Sequence, residues 1–583
     1  MSNQQPLIIK DFDQGIAQSP HKGFGLFRNA DLESFPGAVK VGKKPGPYFH
    51  AIVEQAFTAD ASDLGTCAAN IESNGANFTG AAVYFTTTGT LPAGLSINTV
   101  YYLSKISDTT FKVCLSYKNS VGSAAGTFVN ITDAGTGVHT MHQLGIGTIN
   151  YIIENPVSGY LWMLSSNGRV WFVPGGQRAY LLHNSAIESV AGSLTAASGQ
   201  GLVLSPFSST TKSYLFVFRN ALIDVIDVFD NTAIEALGWS NAWQSMNSAT
   251  GSTNSHHAIK GQDDAVYYCD DRYIGSIIEN VGQTFDPANG ATFTYNDQAL
   301  DLPVYEIAQC LEELGTNLLI GGNTFNKIYP WDRISDSFAI PLTVPEYSIK
   351  RLKNIGDSVF ILAGTWGNIY TTQGTYVKFF TKLPNYLTNN AGAIQTNPIT
   401  WGGIAAVNGA LLVGVSTVTS GNSGVWRIYP DGRITIDNVP SIGSANVIGL
   451  WAKNEFYVMG YAGGADTFNS ALYSTLLYNS LETVIHSALY KVATKLTKGI
   501  FSRIEVVLAK PASGGSIKVG YRANLSATSF TNIDTFTADG ATTIFTKEEL
   551  GITDVDNIQL QVEMNDSNVG SVDVELLEIR LYP

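Results

Sequence analysis

Short apolar runs recur between residues 144 and 480, each followed by a Gly, Asn or Asp turn and then a second run rich in Trp, Tyr and Ile. Seven such units align: GYLWMLSSNGRVWFV (159–173), SYLFVFRNALIDVIDV (213–228), DAVYYCDDRYIGSII (264–278), TNLLIGGNTFNKIYPWD (316–332), DSVFILAGTWGNIYTTQ (357–373), GALLVGVSTVTSGNSGVWRIYPDG (409–432) and NEFYVMGYAGGADTFNSALYSTL (454–476). Runs of this length bounded by turn residues read as hairpin strands. Their spacing is about 45–53 residues, the interval of one four-stranded propeller blade. A lone blade cannot bury both of its faces. Stacking blades around an axis buries them on each other and protects the short edges. The pattern therefore predicts a β-propeller of about seven blades over residues 51–62 and 144–480, with AIVEQAFTAD (51–60) available to close the ring. Trp162, Trp171, Phe216, Tyr267, Tyr329, Trp366, Trp426 and Tyr457 are expected to fill the wedges between blades.

The flanks differ in pattern. Residues 1–50 carry Gly and Pro throughout and hold no sustained period of 2 or 3.6, which predicts an extended arm. Its aromatic residues Phe12, Phe24, Phe27 and Phe35 suit a strap laid on the body or on a neighbouring subunit. Residues 63–143 alternate strands with turns at TTGT and LPAG and read as an inserted small β-sandwich module. Residues 481–583 hold SRIEVVLAK, GSIKVGYRA, FTNIDTFTA, NIQLQVEMN and VDVELLEIRLYP, separated by ASGG and ADGA turns, and read as a C-terminal β-sandwich. There, Ile558, Leu560 and Val562 should face one way and Gln559 and Gln561 the other. LETVIHSALYKVATKL admits a short helix or a strand. The expected fold class is all-β.

Composition narrows the chemistry. Only 14% of residues are charged and the net charge is −14, which argues against a surface that grips nucleic acid. The four cysteines, Cys67, Cys114, Cys269 and Cys310, match no zinc or redox spacing. Pairing of Cys67 with Cys114 and free buried thiols both remain open. MSNQQPLIIKDFDQG has no basic start before an apolar run, so no secretory signal is expected. No continuous apolar run of about 18 residues predicts a membrane span.

One stretch imitates nucleotide chemistry. GAVKVGKK (37–44) nearly fits the phosphate loop G-x-x-x-x-G-K-[ST]. Yet Lys44 stands where the Mg²⁺-binding hydroxyl belongs. The following Pro45, Gly46 and Pro47 break the helix that such an anion site needs. An extended basic surface segment is the expectation. Glycan chemistry fares no better. The turns SSNGRVW, YPDGRIT and GTWGNIY lack the full Asp-box, and Arg169, Arg178, Arg272 and Arg427 are scattered. Asp263–Asp264 and Asp270–Asp271 suit solvated hairpin turns, because adjacent strand residues point to opposite faces. His139 and His142 sit in a strand context that lacks a third ligand. His256 and His257 lie in a polar loop, and TDVDN (553–557) is not a calcium loop. No nucleophile elbow occurs. Catalytic, cofactor-binding and metal-binding residues are therefore not assigned, no cofactor is expected, and the chain is not expected to be an enzyme.

DFDQGIAQSPHKGFGLFRNADLESFPGAVKV resembles the opening of tailed-bacteriophage virion proteins. FTTTGTLPAGLSINTVYYLSKISDTTFKV with ITDAGTGVHT is similar to a small β module inserted into many phage tail and fibre proteins, over roughly 80 residues. The blades and final sandwich resemble phage tail-tube or nozzle proteins in architecture. The resemblance implies a structural protein of the virion tail, assembled in the host cytoplasm. It also implies a homo-oligomeric ring, a hexamer in that family, that contacts an adaptor or fibres while DNA passes transiently through its lumen. An acidic lumen would let phosphate slide without being held. Phe24, Phe27, Lys40, Lys43 and Lys44 are then candidate assembly contacts. The alternatives are a receptor- or glycan-binding tail protein and, third, a glycan-active propeller enzyme.

Overall fold

Each of the seven repeated hairpins forms the second and third strands of a four-stranded antiparallel sheet. The computed structural model describes residues 6–583 except 18–23, 25, 29, 33–36, 42, 48–51, 73–76, 122–127, 157, 175–178, 183–198, 207–212, 229–237, 249–253, 281–292, 389–398, 418–421, 439, 441–445, 454–455, 462–463, 470–477, 493–497, 525–528 and 567–573. Blades 1 to 7 begin with the inner strands Ile149–Glu154, Gly199–Pro206, Ala258–Lys260, Ala308–Leu314, Ile349–Ile355, Thr400–Val407 and Val447–Lys453. These strands touch in cyclic order and blade 7 returns to blade 1, so the ring is closed. The fold is a seven-bladed β-propeller. Lys453 seals the join through an ion pair with Glu154 at 2.5 Å.

Blade 7 is completed from outside its own segment. Its third strand, Gly464–Asn469, pairs antiparallel with Lys43–Pro47 of the arm (Asp466 opposite Pro47, Thr467 opposite Gly46). The closing strand is therefore not residues 51–60. Gln55–Ala59 is already paired on both edges, to Gly65–Cys67 and to His139–Gln143. It belongs to the inserted module, which starts earlier than residue 63. That module is a closed six-stranded barrel rather than a two-sheet sandwich, and closure leaves it no free edge. Phe57, Phe85, Phe111 and Met141 fill its interior. It leans on blade 1, where Tyr117 packs on Phe172 and Tyr180 and the Tyr102 hydroxyl donates to the Leu181 carbonyl at 3.1 Å.

The C-terminal region is a sandwich of two sheets. One holds Arg503–Leu508 and Glu575–Tyr582, the other Ser513–Ala523, Thr531–Asp539, Asn557–Asp566 and Tyr478–His486. LETVIH thus lies in a strand. Ile558, Leu560 and Val562 enter the core as expected. Gln559 is buried too, because its amide donates to the Ser487 carbonyl (2.8 Å) and its oxygen accepts from Arg522 (2.8 Å). The inter-blade aromatic residues are buried apart from Trp366, which is 51% exposed at a blade 5 turn.

The cysteines are all free and buried. Cys67 and Cys114 do not pair, and burial pushes both thiols up to about 11. A thiol held protonated is a poor nucleophile. Titration with a chromogenic disulfide should therefore count four thiols only after unfolding, with the native chain reacting about 100-fold more slowly or less. Fast labelling of Cys67 in the native state would contradict this.

Candidate assembly surfaces

The predicted contact residues of the arm divide into two groups. Phe24 and Phe27 are buried within the chain itself. Phe12, Phe24 and Phe27 pack in series as tilted rings, with centroids 5.2 and 4.9 Å apart, in the core shared by the arm, the sandwich and blade 6. They are intramolecular anchors, so their assignment as contacts to another subunit is corrected. A strap that must lie flat on a sheet edge needs apolar side chains to hold it there, and these supply them. Lys40 lies in Val39–Val41, opposite Asp31 and Glu575. Lys43 and Lys44 lie in the closing strand, opposite Leu481 and Ser480. The side chains of all three lysines fall outside the described residues. Val39–Val41 and Lys43–Pro47 are strands, so Pro45, Gly46 and Pro47 continue a strand where a phosphate cradle needs a helix.

The arm joins both sandwich sheets to blades 6 and 7. Leu7–Ile9 adds to one sandwich sheet beside Ile579–Leu581. Leu26–Arg28 lies between the sandwich strand Tyr478–His486 and blade 6, where it runs parallel to Ile434–Asn438. Lys43–Pro47 lies between that same sandwich strand and blade 7. Hydrogen bonds continue the seam: the Ile16 N–H donates to the Ile434 carbonyl (2.8 Å), and the Tyr386 hydroxyl donates to the Ala17 carbonyl (2.9 Å).

The carboxylate and histidine candidates do not converge. Asp263 accepts from the Tyr267 hydroxyl (2.6 Å), Asp264 pairs with Lys260 (2.6 Å), and Asp271 accepts from Asn254 (2.6 Å). Asp270 is fully buried, contrary to the expected solvated turn. It accepts from the Asn247 and Ser248 N–H groups and the Ser248 hydroxyl, where the chain leaves the last strand of blade 2 and needs acceptors. Arg427 is clamped to Asp437 inside blade 6, Arg169 donates to the Gly145 carbonyl, and Arg272 lies on Tyr273. Arg178 falls outside the described residues. His142 stacks on Tyr84, and His139 bonds Thr87. His256 is buried between the carbonyls of Cys269 and Asn220. Among the described residues, no three His, Cys, Asp or Glu gather to hold a metal.

What sequence reasoning missed is a face of blades 4 and 5. In an up-and-down blade, the turns between strands two and three and the links into the next blade lie at the same end. That end carries Tyr305, Phe325, Tyr347 and Trp366, all exposed, with Tyr305 at 82%. The loops bearing them are tied together. Glu306 accepts from the N–H groups of Thr324 and Phe325 and from the Tyr329 hydroxyl (2.9, 3.4 and 2.9 Å). Ser348 donates to Asn323, and the Gly364 N–H donates to the Tyr347 carbonyl (3.0 Å). Glu346 repeats the role of Glu306 one blade on, accepting from Tyr370 and Asn368 (2.9 and 2.6 Å). Tyr305 sits at φ 72°, a left-handed conformation uncommon for an aromatic residue. A trace was legible in sequence as the paired VYEIA…GGNTFNKIY and PEYSI…AGTWGNIY segments, but exposure was not.

No known family profile and no curated protein sequence matches the chain. Among solved structures, the chain is similar to the computationally designed Ika8 protein at 14% identity, over 67% of this chain and 97% of that one, with a TM-score of 0.34. The β-propeller domain of Myceliophteria thermophila Cps50 (Swd1) aligns at 11% identity over 56% of this chain and 99% of its own, with a TM-score of 0.39. U3-55K aligns at 10% identity over 56% and 96%, also with a TM-score of 0.39. Likenesses this remote carry no functional argument.

Proposed function

We propose that the chain is a non-enzymatic structural component of a phage tail, a nozzle- or tube-like part that forms a homo-oligomeric ring and docks neighbouring tail proteins. The resemblance of the arm and the inserted module motivates the class. The observation that carries the reading is the tied aromatic face of blades 4 and 5. Four exposed aromatic side chains stand at one end of two neighbouring blades, and aromatic residues are enriched in interface cores. In a ring, that face meets a different surface of the next copy, a contact that closes when the rotation allows. A body in which one arm stitches both sandwich sheets to two blades suits a part that must keep its shape under load. The net charge of −14 suits a conduit that DNA crosses without sticking.

Sedimentation and negative-stain imaging test this. The wild-type chain should give rings with an axial hole. The variant Tyr305→Ser/Tyr347→Ser/Trp366→Ser should stay folded, since these side chains are exposed, and should associate at least about tenfold more weakly. Monomers at all concentrations, and no ring in virions, would overturn the proposal. Aromatic faces also stack on sugar rings, which favours receptor or glycan binding as the second reading. That reading gains if wild-type monomers bind host cells and the triple variant does not.

A further inference from the structure

The inner strands leave a cavity of about 380 Å³ on the propeller axis, within the size range of small-molecule sites. Its wall has two characters. Ile152, Leu202, Leu450 and Trp451 form an apolar side. Opposite in character, Arg351 and Lys353 enter from the inner strand of blade 5, and His257 enters from the start of blade 3. Arg351 and Lys353 are two residues apart on one strand and share a face.

The polar side has surplus donors. Lys353 is 3.5 Å from the Glu312 carboxylate. Arg351 donates to the carbonyl of its own neighbour Lys350 (2.9 Å), and among the described residues no carboxylate lies within ion-pair reach of it. His257 accepts the Leu311 N–H on Nδ1 at 3.1 Å. Its proton is therefore on Nε2, which has no hydrogen-bond partner among the described residues. Burial, then Arg351 and Lys353, push His257 down to about 3, so it stays neutral and keeps that single donor at physiological pH. The Tyr151 hydroxyl is committed to the Gln200 carbonyl (2.6 Å). A guanidinium held in a partly enclosed cavity without a counter-charge is costly unless something anionic meets it.

We infer that the axial cavity binds a carboxylate carried on a small apolar body. The carboxylate meets the Arg351 fork, with the His257 Nε2–H as a further donor, and the body lies against Leu202, Leu450 and Trp451. Arginine favours carboxylates through paired N–H donors. Such a group arrives either as a free organic acid or as the end of a partner's chain. This inference does not depend on ring assembly.

Calorimetric titration of the full chain tests it with hexanoate, hexanamide, inorganic phosphate and a short apolar peptide, as the free acid and as the C-terminal amide. The free acids should bind, with the matching amides and phosphate at least about tenfold weaker. Saturation by hexanoate identifies a free acid as the source, and saturation by the peptide acid alone identifies a chain end. Arg351→Met should weaken the acids at least about tenfold and leave the amides unchanged, while Arg351→Lys should fall between. Equal binding of acid and amide overturns the inference, as does undiminished acid binding by Arg351→Met. No saturation by any acid at about 10 mM, a binding free energy weaker than about 3 kcal/mol, overturns it too. Should Arg351→Met fail to fold, the comparison of acid with amide on the wild-type chain decides alone.

Discussion

Deleting residues 1–47 will leave a chain that does not fold cooperatively. The arm places Ile9, Phe12, Ile16, Phe24, Leu26, Phe27, Leu32, Ala38 and Val39 in buried positions. Full burial of each larger side chain is worth about 1.5–3 kcal/mol, so together they contribute on the order of 15 kcal/mol, comparable to the whole stability of a typical domain. Deletion also strips the closing strand from blade 7 and exposes sheet edges on the sandwich and blade 6. Open edges of this kind pair with other chains. Circular dichroism, limited proteolysis and light scattering of the truncated chain should report lost cooperativity and aggregation. Phe27→Ala alone should cost about 3–5 kcal/mol. A truncated chain that remained monomeric, with a sharp transition at the wild-type denaturant midpoint, would show that the arm is ornament.

The second large effect belongs to Gly402. Blade 6 opens with TWGGIAAV, and its inner strand presses on the backbone of blade 7. A Cβ at Gly402 would stand 1.8 Å from the Val447 carbonyl oxygen, and one at Gly414 would stand 2.1 Å from the same atom. That oxygen is backbone in a paired strand, so it cannot give way by rotating a side chain. Gly402→Ala should therefore destabilise by about 3 kcal/mol or more, at or above the upper end of typical overpacking effects, by forcing blades 6 and 7 apart. Gly145→Ala is the matched control. It is exposed and a Cβ there meets nothing within 4 Å, so its change should stay within about 0.5 kcal/mol. Denaturant midpoints measured side by side separate the two. Equal midpoints would mean that the blades are not held at this spacing.

The hairpins were legible because a strand half of a blade writes its burial into local composition. Tyr267 and Trp426 could be assigned to wedges for that reason, and both are buried there. Trp366 was misplaced because a turn Trp and a wedge Trp look alike in one dimension. Asp270 was misread because its partners, Asn247 and Ser248, lie in the preceding blade. The exposure of the aromatic face and the axial cavity were out of reach for the same reason. Tyr305, Phe325, Tyr347 and Trp366 share an end only once two blades stand side by side. Arg351 and His257 share a cavity only once the ring has closed.

Alternation and turn spacing alone determined the all-β class, the seven repeated hairpins, an inserted module and a separate C-terminal region, because these depend on interactions within about a dozen residues of chain. Tertiary structure decided which strand closes the ring, that the module is a barrel, and that Phe24 and Phe27 face inward. Each of those outcomes is a choice among free sheet edges far apart in sequence. Such a choice depends on which edge remains unpaired in the folded body, and no local pattern encodes that.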